Sequence, residues 1–221
     1  MTQKISPNTH EMRSLFLLDP DIVFLNHGSF GATPLPVFEV YQSWQRELEN
    51  QPVQFLGYEL RDRLTDVRSV IGQCFKTHPD NVVLIPNTTF GVNIVSRSLD
   101  FQDGDEVLTT DHEYGACLNT LDFICKKNDV SLIRQPVPLP ISSPEDILEA
   151  FWQGVTACTK LIFVSHITSP TALQFPVKAV CQRAAEQGIL TLVDGAHAPG
   201  QIDLDLIVLV QISMWGISTN G

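Results

Sequence analysis

The sequence predicts an α/β fold: a doubly wound, mostly parallel sheet with helices on both faces. Three observations predict it. Short runs of branched apolar residues are each followed by a polar loop and then by a segment of helical apolar spacing, and this order repeats from residue 82 to residue 194. Right-handed crossovers are the connections such an order demands. The loops after these runs carry Asn87, Thr88 and Thr89, then His112, then Ser165 to Ser169, then Asp194 and His197. These are ligand-binding side-chain types, placed at the carboxyl ends of strands, where open α/β sheets bind. Lastly, 221 residues that are 43% hydrophobic supply a core for one large domain and argue against disorder.

Residues 1–20 read as a polar arm. Residues 21–25 (DIVFL) form a strand-like run, and Asn26-His27-Gly28-Ser29-Phe30-Gly31 reads as a tight turn. The spacing of Val37, Val40, Tyr41, Trp44 and Leu48 predicts a helix over 36–49. Leu60, Leu64, Val67, Val70, Ile71 and Phe75 predict another over 56–77, ended by His78-Pro79. Residues 82–85 (VVLI) then read as a strand. Pro86-Asn87-Thr88-Thr89 is a strand-to-helix junction, where free N–H groups and hydroxyls suit a phosphate and equally suit ordinary capping. Strands are expected at 106–109, 130–134, 160–165 and 189–193, with helices at 116–127, 144–155 and 177–187. Ser143 precedes the helix that begins at Pro144, with Glu145 and Asp146 in its first turn, as the helix dipole prefers.

Composition narrows the function classes. With 14 basic against 25 acidic residues the net charge is −11 and no basic stripe exists, which argues against nucleic-acid binding. The five cysteines are odd in number and scattered, with no C-x-x-C pair, as in a reduced intracellular protein. The polar N-terminus lacks a signal-peptide core and no apolar run reaches a membrane span, so a cytoplasmic protein is expected. No G-x-G-x-x-G follows the first strand, which disfavours a dinucleotide site. His27, His112, His166 and His197 have no short ligand spacing, so no metal site is expected.

FLNHGSFGATP, PNTTFGVN, TDHEYGA, SHITSPTALQFPV and VDGAHAPGQ occur in this order within residues 12–206. Together they resemble the pyridoxal-phosphate enzymes of aminotransferase class V, and among these the isopenicillin-N-epimerase-like branch. The resemblance implies a three-layer fold of the aspartate-aminotransferase-like type with an incomplete large domain. Residues 1–35 would form an N-terminal arm and substrate-mouth turn, 36–206 the partial cofactor-binding domain, and 207–221 a divergent tail. It implies that Asp194 pairs with the protonated pyridine nitrogen, keeping the ring an electron sink. His112 would stack on the ring face, Thr88 and Thr89 would hold the phosphate, and His197 and either Ser169 or Thr168 would lie near the ring hydroxyl. Asn26, His27 and Gly28 would line the substrate mouth. A homodimer acting on an amino acid or peptide-like substrate is the expected assembly of the intact family member.

One departure stands out. The family joins its cofactor to a Schiff-base lysine soon after the segment that matches VDGAHAPGQ, whereas the last lysine here is Lys178, which precedes Asp194. The residues after Leu206, IVLVQISMWGISTNG, do not resemble the family's continuation. The expectation is a C-terminally truncated relative with no catalytic residue of its own and impaired activity. By resemblance its chemistry is epimerisation. The alternatives are a cysteine desulfurase or lyase, with Cys117 read as a buried helix residue, and a non-catalytic remnant.

Overall fold

The computed structural model describes residues 9–28, 30–206 and 213–214. The chain divides into two compact units, one up to Val67 and one from Arg68 to Ser218. The tail expected at 207–221 lies outside the described residues apart from Ser213 and Met214.

In the first unit, α1 (Thr9–Ser14) gives the expected arm one short helix. The Arg13 guanidinium donates to the carbonyls of Asp19 (3.0 Å), Pro20 (2.7 Å) and Ile22 (3.1 Å), so the following loop is wound around one side chain. Residues 21–25 do not form a strand; the loop that contains them lies between Phe16 and Pro34, which form an antiparallel bridge. α2 spans Leu35–Asn50 with prolines at its start. The expected helix over 56–77 instead opens as a π-helical turn at Gln54–Glu59 and continues as α3 (Leu60–Cys74). Arg63 explains where the wide turn is fixed: it pairs with Glu59 one turn back and with Glu47 of α2, and its guanidinium lies 4.5 Å from the Phe55 ring centre.

The second unit is the α/β layer structure. After a 3-10 turn at Pro79–Asn81 come α4 (Thr88–Ser98), β1 (Glu106–Thr110), α5 (Gly115–Lys127), β2 (Ser131–Gln135), α6 (Pro144–Trp152), β3 (Thr159–Ser165), α7 (Val177–Glu186), β4 (Leu190–Asp194) and the two-residue β5 (Ser213–Met214). The sheet order is β2-β1-β3-β4-β5 and every pairing is parallel. Alternation along the strands sorts two cores. Val107, Leu161, Phe163 and Leu192 face Val92 of α4 and Cys117, Leu121 and Cys125 of α5. Leu108, Ile162, Val164 and Val193 face Ile147 and Phe151 of α6 and Val177, Val180 and Ala184 of α7. The sheet is therefore the middle of three layers, as expected.

Local chemistry sets the helix ends. Ser143 caps α6 by accepting the Asp146 N–H (3.1 Å). Gly188, at φ +70°, closes α7: its N–H and that of Ile189 reach back to Ala185 and Ala184. One expected strand is absent. Residues 82–85 pair with no strand among the described residues, and Val83 is 78% exposed. No described helix is long and apolar enough to cross a membrane.

Candidate functional site

The order β2-β1-β3-β4 reverses direction between β1 and β3, which is the topological switch point of this sheet. The loops leaving β1, β3 and β4 at their carboxyl ends hold His112 and Glu113, Ser165 to Thr171, and Asp194 to His197. α4 packs against α5 and β4.

Asp194 is the last residue of β4 and is buried. Its Oδ1 accepts the Ala196 N–H at 2.9 Å, which folds the Gly195-Ala196 turn around the carboxylate. Its Oδ2 faces the Cys117 thiol at 3.5 Å. Burial pushes the Asp194 carboxyl above the usual carboxylate range, while the Ala196 amide, Cys117 and the half-buried His197 pull it back. A cationic group beside it would relieve that burial. The Thr89 side chain acts on the same thiol in the opposite sense to burial, lowering its pKa. Burial, first, and then Asp194 hold this thiol well above the usual cysteine range, so it stays protonated.

At α4 the capping question is resolved by geometry. Asn87 is the cap, its Oδ1 accepting the Phe90 N–H at 2.8 Å. Thr88 and Thr89 are therefore the first two helical residues, and their N–H groups have no acceptor within the helix. The Thr88 hydroxyl is buried without a hydrogen-bond partner among the described residues. Ser96, Thr109 and Thr191 share that condition, but Thr88 is the one placed in the first turn of a helix.

The His112 ring is held at both nitrogens. Nε2 lies 2.7 Å from the Val137 carbonyl, which only accepts, so Nε2 carries the proton in the neutral ring. Nδ1 then accepts from the Thr171 hydroxyl at 3.0 Å. The ring edge is thus fixed on both sides, and the residue is buried. Thr171 is in turn bonded to Thr168, whose hydroxyl also accepts the Leu173 N–H. Ser169 is exposed in the same turn.

The donor set thus fits pyridoxal phosphate. An anion end is offered by Thr88 and Thr89, a buried carboxylate for the ring nitrogen by Asp194, and a flat partner by His112. Thr88, Thr89, His112, Ser169, Asp194 and His197 all lie in the second unit. Asn26, His27 and Gly28 lie in the first, where the His27 ring packs edge-on to Phe24 (4.7 Å) and near Phe16 (5.6 Å).

Four contributors escaped sequence reasoning: Glu113, Cys117 as a bridging group, Thr171, and the Val137 carbonyl. Glu113 is buried with three donors on its carboxylate: Thr110 Oγ1 at 2.8 Å on Oε1, and the Ser165 N–H (3.0 Å) and Oγ (2.5 Å) on Oε2. Burial outweighs those donors and, with Asp194 nearby, pushes its carboxyl up to about 7. Its position directly after His112, at a strand's end, was a usable signal. Thr171 and Val137 gave none, being 59 and 25 residues from His112.

Known proteins match this chain over most of its length. An isopenicillin N epimerase from Streptomyces clavuligerus is 35% identical over 196 residues, covering 89% of this chain and 49% of that protein. A protein named probable L-cysteine desulfhydrase, chloroplastic, from Arabidopsis thaliana is 27% identical, covering 85% of this chain and 43% of its own. The chain spans about half the length of these curated relatives. Among solved structures, a C-DES mutant with glycine covalently linked to the PLP cofactor superimposes with a TM-score of 0.80 at 25% identity, covering 95% of this chain and 55% of that one. The aminotransferase class-V profile matches residues 24–210, a span that contains every site residue described above. The chain belongs to the aminotransferase class-V family, whose cofactor is pyridoxal phosphate.

Proposed function

We propose that this chain forms the cofactor-holding part of an enzyme that epimerises or racemises an amino acid or an amino-acid-containing substrate. The observation that carries the reading is the buried Asp194 carboxylate at the carboxyl end of β4, facing the Cys117 thiol, with the unpartnered Thr88 hydroxyl in the first turn of α4. Bound pyridoxal phosphate supplies an electron sink for the carbanion left when an amino acid loses its α-proton. Asp194 holds the proton on the pyridine nitrogen. Thr88 and Thr89 anchor the phosphate with N–H and hydroxyl groups. His112 would be the residue that stacks on the cofactor ring. Ser169 and His197 serve the ring hydroxyl, and Asn26, His27 and Gly28 the substrate. The 35% identity to isopenicillin N epimerase favours inversion of a stereocentre over other fates of the carbanion.

A second reading, carbon–sulfur cleavage by a desulfurase or lyase, is favoured by the desulfhydrase relative and by the C-DES likeness. Inversion returns a proton to the carbon, whereas cleavage expels sulfur, so the two separate by product: solvent deuterium at the α-carbon against released sulfide. The intact protein works as a homodimer in this proposal. Its cytoplasmic setting is supported by five cysteines that are all free.

The sequence holds no lysine after Lys178. We propose that this chain by itself binds the cofactor without a covalent link and turns over weakly or not at all. Titration with pyridoxal phosphate, followed by borohydride reduction and mass spectrometry, tests this. Saturable binding with no fixed adduct is expected. A stoichiometric adduct at one lysine overturns the non-covalent reading, and absence of saturable binding overturns the cofactor site.

A further inference from the structure

We infer that Glu113 is a positioning residue: its carboxylate clamps the ends of β1 and β3 together and thereby fixes the His112 ring relative to the Asp194 carboxylate. The inference rests on the cofactor reading of the site for its purpose, but not for its geometry.

The parallel ladders show why a clamp is needed. β1 pairs with β2 through its last residue, Thr110 with Gln135. β3 pairs with β4 through its last residue, Ser165 with Asp194. Between β1 and β3, however, the register pairs Val107 with Leu161 and Leu108 with Ile162, and among the described residues it goes no further. The last residues of β1 and β3 are therefore not joined to each other by ladder pairing at the end where a switch-point ligand binds, although the strands stay adjacent. Glu113 joins these two strand ends. One carboxylate oxygen takes the hydroxyl of Thr110, the last residue of β1, and the other takes the N–H and hydroxyl of Ser165, the last residue of β3.

Each half carries one arm of the cofactor site. On the β1 side, the Thr110 hydroxyl also accepts the His112 N–H at 3.1 Å, which sets the start of the His112 loop. On the β3 side, the His166 N–H, next after Ser165, donates to the Asp194 carbonyl at 2.8 Å. The chain of bonds runs His112, Thr110, Glu113, Ser165, His166, Asp194, with Glu113 as its middle link. A planar ring held between a stacking partner and a carboxylate requires that separation to be set to within a fraction of an ångström.

The clamp is a matter of hydrogen-bond geometry, so glutamine is its conservative replacement. Its carbonyl oxygen can take both Ser165 donors while its NH2 donates to the Thr110 hydroxyl. Alanine leaves the Ser165 donors unmet. The experiment compares the wild-type chain with Glu113→Ala, Glu113→Gln and Thr110→Val by pyridoxal phosphate titration, by the induced circular dichroism of the bound cofactor, and by amide hydrogen exchange without cofactor. For Glu113→Ala we expect a loss of roughly tenfold or more in affinity, a collapsed dichroic band, and at least about tenfold faster exchange at His112 and Ser165, with Ile133 of β2 unchanged. Glu113→Gln restores affinity to within about threefold and recovers the band. Thr110→Val follows Glu113→Ala, and the double variant loses no more than the worse single one. Equal affinity and equal exchange in wild type and Glu113→Ala overturn the inference, as does a Glu113→Gln variant as impaired as alanine. If the wild type binds no cofactor, the functional reading fails while exchange at His112 and Ser165 still decides the clamp. If Glu113→Ala does not fold, Thr110→Val and Glu113→Gln decide it.

Discussion

The Thr88 hydroxyl is buried in the first turn of α4 with no partner among the described residues. A buried hydroxyl without a hydrogen bond costs about 1–3 kcal/mol. A binding site tolerates that cost where a ligand later satisfies the group. Thr88→Val keeps the branched shape and removes the unmet group, so it should raise the free energy of unfolding by about 1 kcal/mol in urea melts. The same variant should weaken pyridoxal phosphate binding about tenfold and leave binding of unphosphorylated pyridoxal unchanged. Loss of both affinities together would place Thr88 at the ring instead of the phosphate. Glu113 makes a prediction about pH. Its folded carboxyl titrates at about 7 against 4.5 for the unperturbed group. Between those values the folded chain binds the extra proton, so this group's contribution to stability falls as pH rises through the window and is constant above it. Buried His166 acts in the opposite direction: burial lowers it to about 4, so its contribution grows as pH rises towards 6.5. The contributions of Glu113 and His166 should therefore largely cancel between pH 5 and 6.5 in the wild type. Glu113→Gln removes one of the two, and its advantage over wild type at pH 8 relative to pH 5 should be on the order of 3 kcal/mol by urea melts. A variant that tracks wild type across this range would mean that Glu113 titrates as an ordinary carboxylate.

At the scale of the element, the N-terminus of α4 joins fold to function. Asn87 supplies the cap, and its replacement by alanine should cost about 1 kcal/mol in urea melts by leaving the Phe90 N–H unmet. Asn87→Asp keeps the cap and suits the helix dipole, so stability should hold. Its carboxylate would compete with a phosphate for the same field, so cofactor affinity should fall, as a titration would show. If both variants bind as wild type does, the phosphate is held elsewhere. This junction also shows what a sequence can express. Asn87, Thr88 and Thr89 were legible as the start of a helix, although the strand expected before it did not form, but which residue capped and which stayed free was not legible, because both residue types cap well. β1 to β4, with His112 and Asp194 at or just past strand ends, were legible because apolar runs and strand-end loops are local patterns, whereas β5 lies in the stretch read as a divergent tail. Glu113 was not recognised as a partner of Ser165, which lies 52 residues away, since a side-chain bond of that span leaves no periodicity. The π-helical turn at Gln54–Glu59 was hidden for a different reason: six residues are too few for its i→i+5 geometry to leave a pattern of its own.

At the scale of the whole molecule, the three-layer topology followed from the repeating order of elements, while the strand expected at 82–85 did not form. VVLI has the composition of a buried strand, but pairing is a property of two segments, and among the described residues none lies beside it. The consequence is exposed apolar surface. Val83 is joined by Val23 at 79% and Leu25 at 87% exposure. α2 buries none of its residues, although Val37, Val40, Tyr41 and Trp44 form one apolar stripe along it. Stripes of this kind promote association, and the net charge of −11 opposes it. Salt screens the charge and leaves the apolar term in place. The 24.6 kDa chain should therefore self-associate as its concentration rises from roughly 1 to 100 µM in sedimentation velocity, and more so at high ionic strength. Val40→Lys with Trp44→Lys should reduce that association with little change in melting temperature, because neither side chain is buried. A single monomeric species across the whole range, in low and high salt alike, would show that these faces do not act as an interface, and the proposed homodimer would then have to use another surface.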